Sequence, residues 1–347
     1  MKKSGFAAGR LILLAVLLAF ILAEAAAEGP AFSSYDAAMK YVRANRPQEL
    51  DAGTVRWQPS DLLKLKEEME GEAVLHFSTT WGKLVLSDED TEINLNKVKR
   101  ITTEDIETVI AICPKAEKIT LTKHYYLRNQ PVIGLAEKYP EIEFIWTVTL
   151  GGTYKIATDC TAYSTFNEPN APEKLKSGDL EALQYVRGLR ALDVGHNEIT
   201  SLQWLKYCPE LELLILGDNR GITDLTPIGN LKHLQYLELF STGAEDISPL
   251  AECTELIDLN LCYDKKVTDL SALDGLTKLE RFWGNHMDGL APGEADRFAA
   301  LHADTQCVFN GKHATSEGWR EHERYNHYRW CLQNQVWIPF GEPLPGK

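Results

Sequence analysis

Two stretches, Leu189-Arg-Ala-Leu-Asp-Val-Gly-His-Asn197 and Leu211-Glu-Leu-Leu-Ile-Leu-Gly-Asp-Asn219, superimpose residue for residue on the frame L-x-x-L-x-L-x-x-N. Leu234, Leu237 and Leu239 fall in the same frame, as do Leu256, Leu259 and Leu261, and Leu279 and Phe282 begin a fifth copy. The copies start 22, 23, 22 and 23 residues apart. The second half of each unit repeats too: Ile199, Leu202 and Leu205 recur as Ile222, Leu225 and Ile228, as Ala244, Ile247 and Leu250, and as Val267, Leu270 and Leu273. The extra residue of the longer units falls in the turn after the Asn-type position, so both sets of apolar columns stay in register.

An x-L-x-L stretch has a period of two and predicts a short parallel strand with its leucines facing inward. One such unit cannot bury its own leucines, so neighbours must stack into a continuous core. The ninth-position Asn can satisfy backbone groups as the chain leaves the strand. Asn197 and Asn219 keep it, Thr242 and Asp264 replace it with other hydrogen-bonding groups, and Met287 marks the end of the regular array. With ITDLTPI, ISPL and VTDLSAL following the strands, residues 186 to about 288 resemble the internalin-type leucine-rich repeats of secreted bacterial proteins. The resemblance implies an α/β solenoid, a curved horseshoe of short parallel strands whose strand face binds another macromolecule.

Outward from the repeats, the chain diverges at both ends. Lys2, Lys3 and Arg10 precede the apolar run Leu11 to Ala23, and AEAAAEG follows, which is the order of a secretory signal peptide over residues 1–27. Thirteen apolar residues are few for a bilayer span, so cleavage after Ala25 or Ala27 is expected rather than a membrane tether. Residues 28–174 read as a diverged α/β repeat region that caps the solenoid. Residues 105–121 align with 179–194, and His76 to Lys83 resembles Ile145 to Gly152, which suggests a duplicated helix-strand-turn-strand module. Residues 157–174, rich in Thr, Asn, Pro and Glu, read as a loop before the regular repeats of 175–288. In 289–347, Glu294 to Ala303 reads as a helix and Cys307 to Phe309 as a strand of a last imperfect unit. The tail then carries Trp319, Tyr325, Tyr328, Trp330, Trp337 and Phe340, read as an aromatic C-terminal cap over the terminal leucines and edge strand.

Composition limits the function. The 347 residues hold 50 acidic and 36 basic side chains, a net charge of -14, which argues against nucleic acid as a partner. Loss of the leader would move the charge to about -16, since it removes three basic residues and one acid. Seven cysteines are too few for a disulfide scaffold. Cys113, Cys208 and Cys253 fall three residues before the first apolar position of a unit and read as core residues. That leaves Cys160, Cys262, Cys307 and Cys331 as possible bridge partners, with no pairing preferred. No zinc spacing, calcium loop, phosphate loop or nucleophile elbow appears, so no metal, cofactor or catalytic residue is expected. Asp88, Glu89, Asp90 and Glu92 read as a solvated acidic turn.

The register also names the positions expected to face solvent. One column holds Ala191, Leu213, Tyr236, Asp258 and Arg281; the next holds Asp193, Ile215, Glu238, Asn260 and Trp283; a third holds Gly195, Gly217, Phe240, Cys262 and Asn285. Aromatic and Arg anchors among polar neighbours match the composition of binding hot spots. The site expected from the sequence is therefore Asp193, Leu213, Ile215, Tyr236, Glu238, Phe240, Asp258, Asn260, Arg281 and Trp283. A protein partner is the leading expectation, with an extracellular glycan stacking on the same aromatics as the second. A hydrolase site in the N-terminal module, near Trp81 or Trp146 and the acidic turn, is the third.

Overall fold

The computed structural model describes residues 31–69 and 71–346, so the expected leader lies outside the described residues. No helix among them is long and apolar enough to cross a membrane. The chain forms two compact units, one ending at Trp146 and one beginning at Thr147.

The first unit runs α1 (Tyr35–Asn45), β1 (Glu49–Val55), α2 (Pro59–Met69), β2 (Val74–Trp81), β3 (Leu84–Ser87), β4 (Glu92–Asn94), α3 (Thr103–Ile112), β5 (Lys118–Thr120), α4 (Asn129–Lys138) and β6 (Glu143–Ile145). Its helices start where side chains can satisfy the free backbone N–H groups. Ser34 accepts from Ala37 ahead of α1, and Thr102 and Asp105 form a reciprocal capping box ahead of α3. Strand β2 pairs in parallel with β1 and folds back on β3 as a hairpin. Strands β4, β5 and β6 are parallel, with Ile93, Ile119 and Phe144 stacked as buried rungs. The acidic turn is solvated at Glu89 and Glu92, as expected, but not at Asp88. Asp88 is buried and accepts the Phe77 N–H at 2.9 Å, with His76 Nδ1 at 2.8 Å, because the turn must satisfy the backbone where β3 leaves the sheet.

The second unit opens with the hairpin β7 (Thr147–Leu150) and β8 (Tyr154–Ala157). A seven-stranded parallel ladder follows: β9 (Ala162–Ser164), β10 (Ala191–Asp193), β11 (Leu213–Ile215), β12 (Tyr236–Glu238), β13 (Asp258–Asn260), β14 (Arg281–Trp283) and β15 (Gln306–Val308). Helix α5 (Glu294–Leu301) precedes the last rung, as the sequence predicts, and α6 (Glu323–Asn334) lies beyond it. Strand β9 corrects the reading of 157–174 as a loop. Its rung is Ala-Tyr-Ser, where Tyr163 takes the inward position that leucine holds elsewhere, paired in register with Leu192. The expected module duplication is visible locally: β2/β3, β4 and a 3-10 turn at Leu95–Lys97 recur as β7/β8, β9 and a 3-10 turn at Thr165–Asn167.

The ladder pairs Leu192, Leu214, Leu237, Leu259 and Phe282 side by side, all fully buried. Each rung ends on a residue with positive φ, namely His196, Asp218, Ser241, Tyr263 and His286, which recur at the same 22- and 23-residue spacing. This left-handed residue turns the chain off the strand and aims its N–H at the next rung. His196 N–H thus donates to the Gly217 carbonyl and Asp218 N–H to that of Phe240. The Asn that follows plays its expected part. Asn219 Nδ2 donates to the carbonyls of Leu216 and Val194, while its Oδ1 accepts from Ile199 N–H. Asp264 stands in the same column but can only accept when ionised. Its Oδ1 takes the Thr242 N–H and hydroxyl, and its buried Oδ2 has no partner. Cys113, Cys208 and Cys253 are buried core residues, and all seven cysteines are unpaired.

Candidate functional site

The strand face is where structure and expectation part. Asp193, Leu213, Tyr236, Glu238, Phe240, Asp258, Asn260, Arg281 and Trp283 are all buried rather than solvent-facing, and Ile215 is half-buried. The cover is the chain's own C-terminal segment. Asn260 Nδ2 donates to the Ala314 carbonyl at 2.7 Å and Trp283 Nε1 to that of Ser316 at 2.8 Å. The Trp319 ring then packs on Tyr236 and Trp283, with centroids 5.4 and 5.1 Å apart. Further on, Asn167 Nδ2 donates to the Leu332 carbonyl at 2.9 Å, and Trp337 N–H to the Thr161 hydroxyl at 2.7 Å.

The segment therefore crosses the ladder from β14 back to β9. Its aromatics cover the strand face, not the end of the leucine core as expected. The physical reason is that Leu213, Tyr236, Phe240 and Trp283 form too large an apolar surface to leave in water. At about 25 cal/mol per Å² a tethered aromatic segment is the nearest cover. The rings expected to stack on sugars are spent in the same way, Tyr236 for instance on Trp319 and Tyr328.

Toward β13 and β14 the face holds an acid between two cations, with Asp258 Oδ2 and Arg281 Nη2 buried without a hydrogen-bond partner. Asp258 Oδ1 accepts from Arg281 Nε at 2.7 Å and from Arg324 Nη1 at 2.8 Å, all three residues being buried. Arg324 also reaches Glu280, and the Arg281 guanidinium lies over the Trp319 ring at 4.6 Å.

Toward β10 and β12 the cover leaves a pocket of about 180 Å³. Asp193 and Glu238 line its floor, and Arg320 and Arg329 come from the covering segment. Asp193 Oδ2 accepts from the Ser164 hydroxyl at 2.7 Å and its Oδ1 from Gly195 N–H at 3.1 Å. Glu238 Oε1 accepts from Trp319 Nε1 at 2.8 Å and from the Tyr236 hydroxyl. Burial pushes both carboxyl groups above their ordinary range, although these hydrogen bonds pull the other way. The walls are aromatic: Phe240, Tyr325, Tyr328 and the exposed Phe166, whose ring faces the Arg329 guanidinium at 5.7 Å. Gly217 is what lets Phe240 lie there, since a Cβ at that position would sit 2.2 Å from the ring.

A catalytic constellation is not assembled among these groups. Ser164 hydrogen-bonds an acid rather than a histidine, and His196 Nδ1 faces Asp218 at 3.1 Å. In the first unit, ligand atoms of His76, Asp88 and Glu89 lie within 4.8 Å of one another. They are already engaged, Asp88 by His76 and Phe77 and Glu89 by Lys115, so they form a hydrogen-bonded turn. The sequence named Asp193, Leu213, Ile215, Tyr236, Glu238 and Phe240 of the pocket, and missed Phe166, His196, Arg320, Tyr325, Tyr328, Arg329 and Leu332.

Five repeat frames on one ladder of parallel rungs, each leaving through a left-handed residue and the first four through an Asn-type side chain, decide the architecture. The chain is a leucine-rich-repeat solenoid. Among solved structures it is similar to an internalin (inlF) from Listeria monocytogenes, at 15% identity over 87% of each chain and a TM-score of 0.40. It is similar also to internalin C2 from the same organism, at 17% identity over 62% of this chain and 87% of the other, TM-score 0.37. A leucine-rich-repeat protein of Leptospira interrogans aligns at 16% identity over 76% of this chain and 72% of its own, TM-score 0.40. No family model and no curated protein matches the sequence.

Proposed function

We propose that this solenoid is an exported recognition module, without catalytic chemistry of its own, that takes part of a protein partner into the pocket between the strand ladder and the C-terminal segment. The observation that carries the reading is the pocket itself. It lies on the ladder face, joins aromatic walls to four charged side chains, and Arg320 and Arg329 have no ion-pair partner among the described residues. Aromatic and Arg groups at a partly desolvated centre are the composition of binding hot spots. Export is supported by the basic, apolar and small-residue order of residues 1–27.

Affinity capture from the native extracellular milieu tests this, comparing the unaltered chain with an Arg320→Glu/Arg329→Glu variant. Both positions are at least partly exposed, so the variant keeps its fold, checked by circular dichroism and Tm. Loss of the captured protein in the variant supports the pocket as the site. Equal capture by both chains moves the site off the ladder face.

A further inference from the structure

The charges and the shape of the pocket together specify more than a protein partner. Asp193, Ile215 and Glu238 stand in one row across β10, β11 and β12. At about 4.8 Å per rung the two acids flank Ile215 with their backbones about 10 Å apart. Both are almost fully buried, at 2% and 3% exposure, and neither forms an ion pair among the described residues. Both described hydrogen bonds of Glu238 end on Oε1, which leaves Oε2 as an acceptor for a ligand. The Arg329 charge acts on Asp193 and the Arg320 charge on Glu238 without closing to an ion pair, so each buried acid is only partly compensated and an arriving cation relieves the remainder. Above this floor the walls are aromatic. Arg320 is exposed and Arg329 half-buried, and neither closes to an ion pair among the described residues.

From the outside inward, the pocket thus offers guanidinium groups, aromatic rings and carboxylates. We propose that it binds a basic residue bearing a free α-carboxylate, the chemistry of a peptide chain ending in Lys or Arg. The carboxylate meets Arg320 and Arg329, the aliphatic stem runs along Phe240, Tyr325 and Tyr328, and the ammonium or guanidinium reaches Asp193 and Glu238. A long basic side chain is an apolar stem with a charged tip, which matches this order. A lone cation would face two arginines at the entrance, and a lone anion two acids at the floor. Only a ligand carrying both charges satisfies both ends. The inference rests on the proposed placement of the partner site in this pocket.

The test is titration of the full chain by calorimetry with four probes: a short peptide ending in lysine, its C-terminal amide, the same peptide with norleucine in place of lysine, and free L-lysine. The lysine-ended peptide is expected to bind saturably, with amidation and norleucine each weakening it by about tenfold or more, the range for charge-assisted hydrogen bonds. Asp193→Asn and Arg320→Gln should each abolish the corresponding preference, the first for lysine over norleucine and the second for acid over amide. The Arg320 change lies on the exposed rim, so a folding failure at Asp193 does not rescue the proposal. Free L-lysine binding as tightly as the peptide assigns the same chemistry to a small molecule instead of a chain end. Equal binding of all four probes, or of none, overturns the proposal. If none binds while the Arg320→Glu/Arg329→Glu variant still loses partner capture, the ligand chemistry falls and the site stands. If the lysine-ended peptide binds as expected and capture persists in that variant, the partner site lies elsewhere.

Discussion

One covered face carries acids in two different circumstances. Asp258, on β13, is ion-paired with both Arg281 and Arg324, and Arg281 lies over the Trp319 ring. Asp193 and Glu238, on β10 and β12, are hydrogen-bonded to neutral groups and feel Arg329 and Arg320 without forming ion pairs, and beside them the cover stands off to leave a pocket. The same segment closes both regions. Where it brings a cation into contact with a buried acid the packing is structural; where its arginines stop short of ion pairs with the acids, room and loosely matched charge coincide. The pairing of those two properties marks a site, and neither does so alone. Asp264 makes the point, being buried with an orphan oxygen but lining no pocket.

The comparison can be broken first at its ion-paired end. Asp258→Ala should destabilise the protein by about 3–5 kcal/mol in urea unfolding, because it leaves the buried Arg281 guanidinium without its acid and Arg324 with Glu280 alone. A loss of less than about 1 kcal/mol would mean that the triad is not what holds the cover down.

Asp264 separates burial from function. Burial raises its carboxyl group to about 7, so the native state binds a proton that the unfolded chain releases near pH 4. Its stabilising effect is therefore fully present below about pH 4 and lost as pH rises toward 7. Asp264→Asn restores the side chain of the Asn197 and Asn219 rungs, whose Nδ2 groups donate to carbonyls two or three residues back. The substitution should raise stability on the order of 2–3 kcal/mol at pH 8 and very little at pH 4, with no change in partner binding. A gain of equal size at both pH values would rule out the titration of Asp264 as its source.

A smaller effect is expected at the pocket wall. Gly217→Ala pushes the Phe240 ring aside, which should cost about 1–3 kcal/mol and reduce ligand binding together with stability. If Tm falls and binding does not, Phe240 is not part of the ligand's surroundings. The smallest change in stability should come from Arg320→Gln. At this exposed position it should shift unfolding by no more than about 0.5 kcal/mol while reducing binding by about tenfold. That separation of stability from binding is the outcome that most sharpens the contrast with Asp258.

Most of the ladder was legible because its signal is local and repeated. The leucine columns, the Asn-type column and the strand positions all follow from periods of 2 and of 22 or 23 residues. The rung at Ala162–Ser164 escaped that reading because Tyr163 stands in a leucine column with no neighbouring leucine to set the phase. The cover over the face escaped it for a different reason. A segment that docks across the rungs has no periodicity in common with them, and the contact from Trp337 to Thr161 spans 176 positions. Hints were present nonetheless. Trp283 and the opposite charges of Asp258 and Arg281 alternate with buried residues on the strands, and the tail carries six aromatic rings that need a surface. The pocket's arginines could not be assigned by register at all, since they lie beyond the last repeat.

The return of the C-terminal segment to β9 changes how this solenoid must fold. An ordinary repeat stack forms between nearest neighbours and can nucleate at any unit. Here Asn167 and Leu332, 165 positions apart, meet only after the intervening rungs are in place. Docking of α6 is a late, high-contact-order event that slows completion of the native state. During synthesis the ladder emerges before the segment that covers it. Leu213, Tyr236 and Trp283 therefore remain open to other chains until that segment has been released, an interval in which this protein is exposed to aggregation.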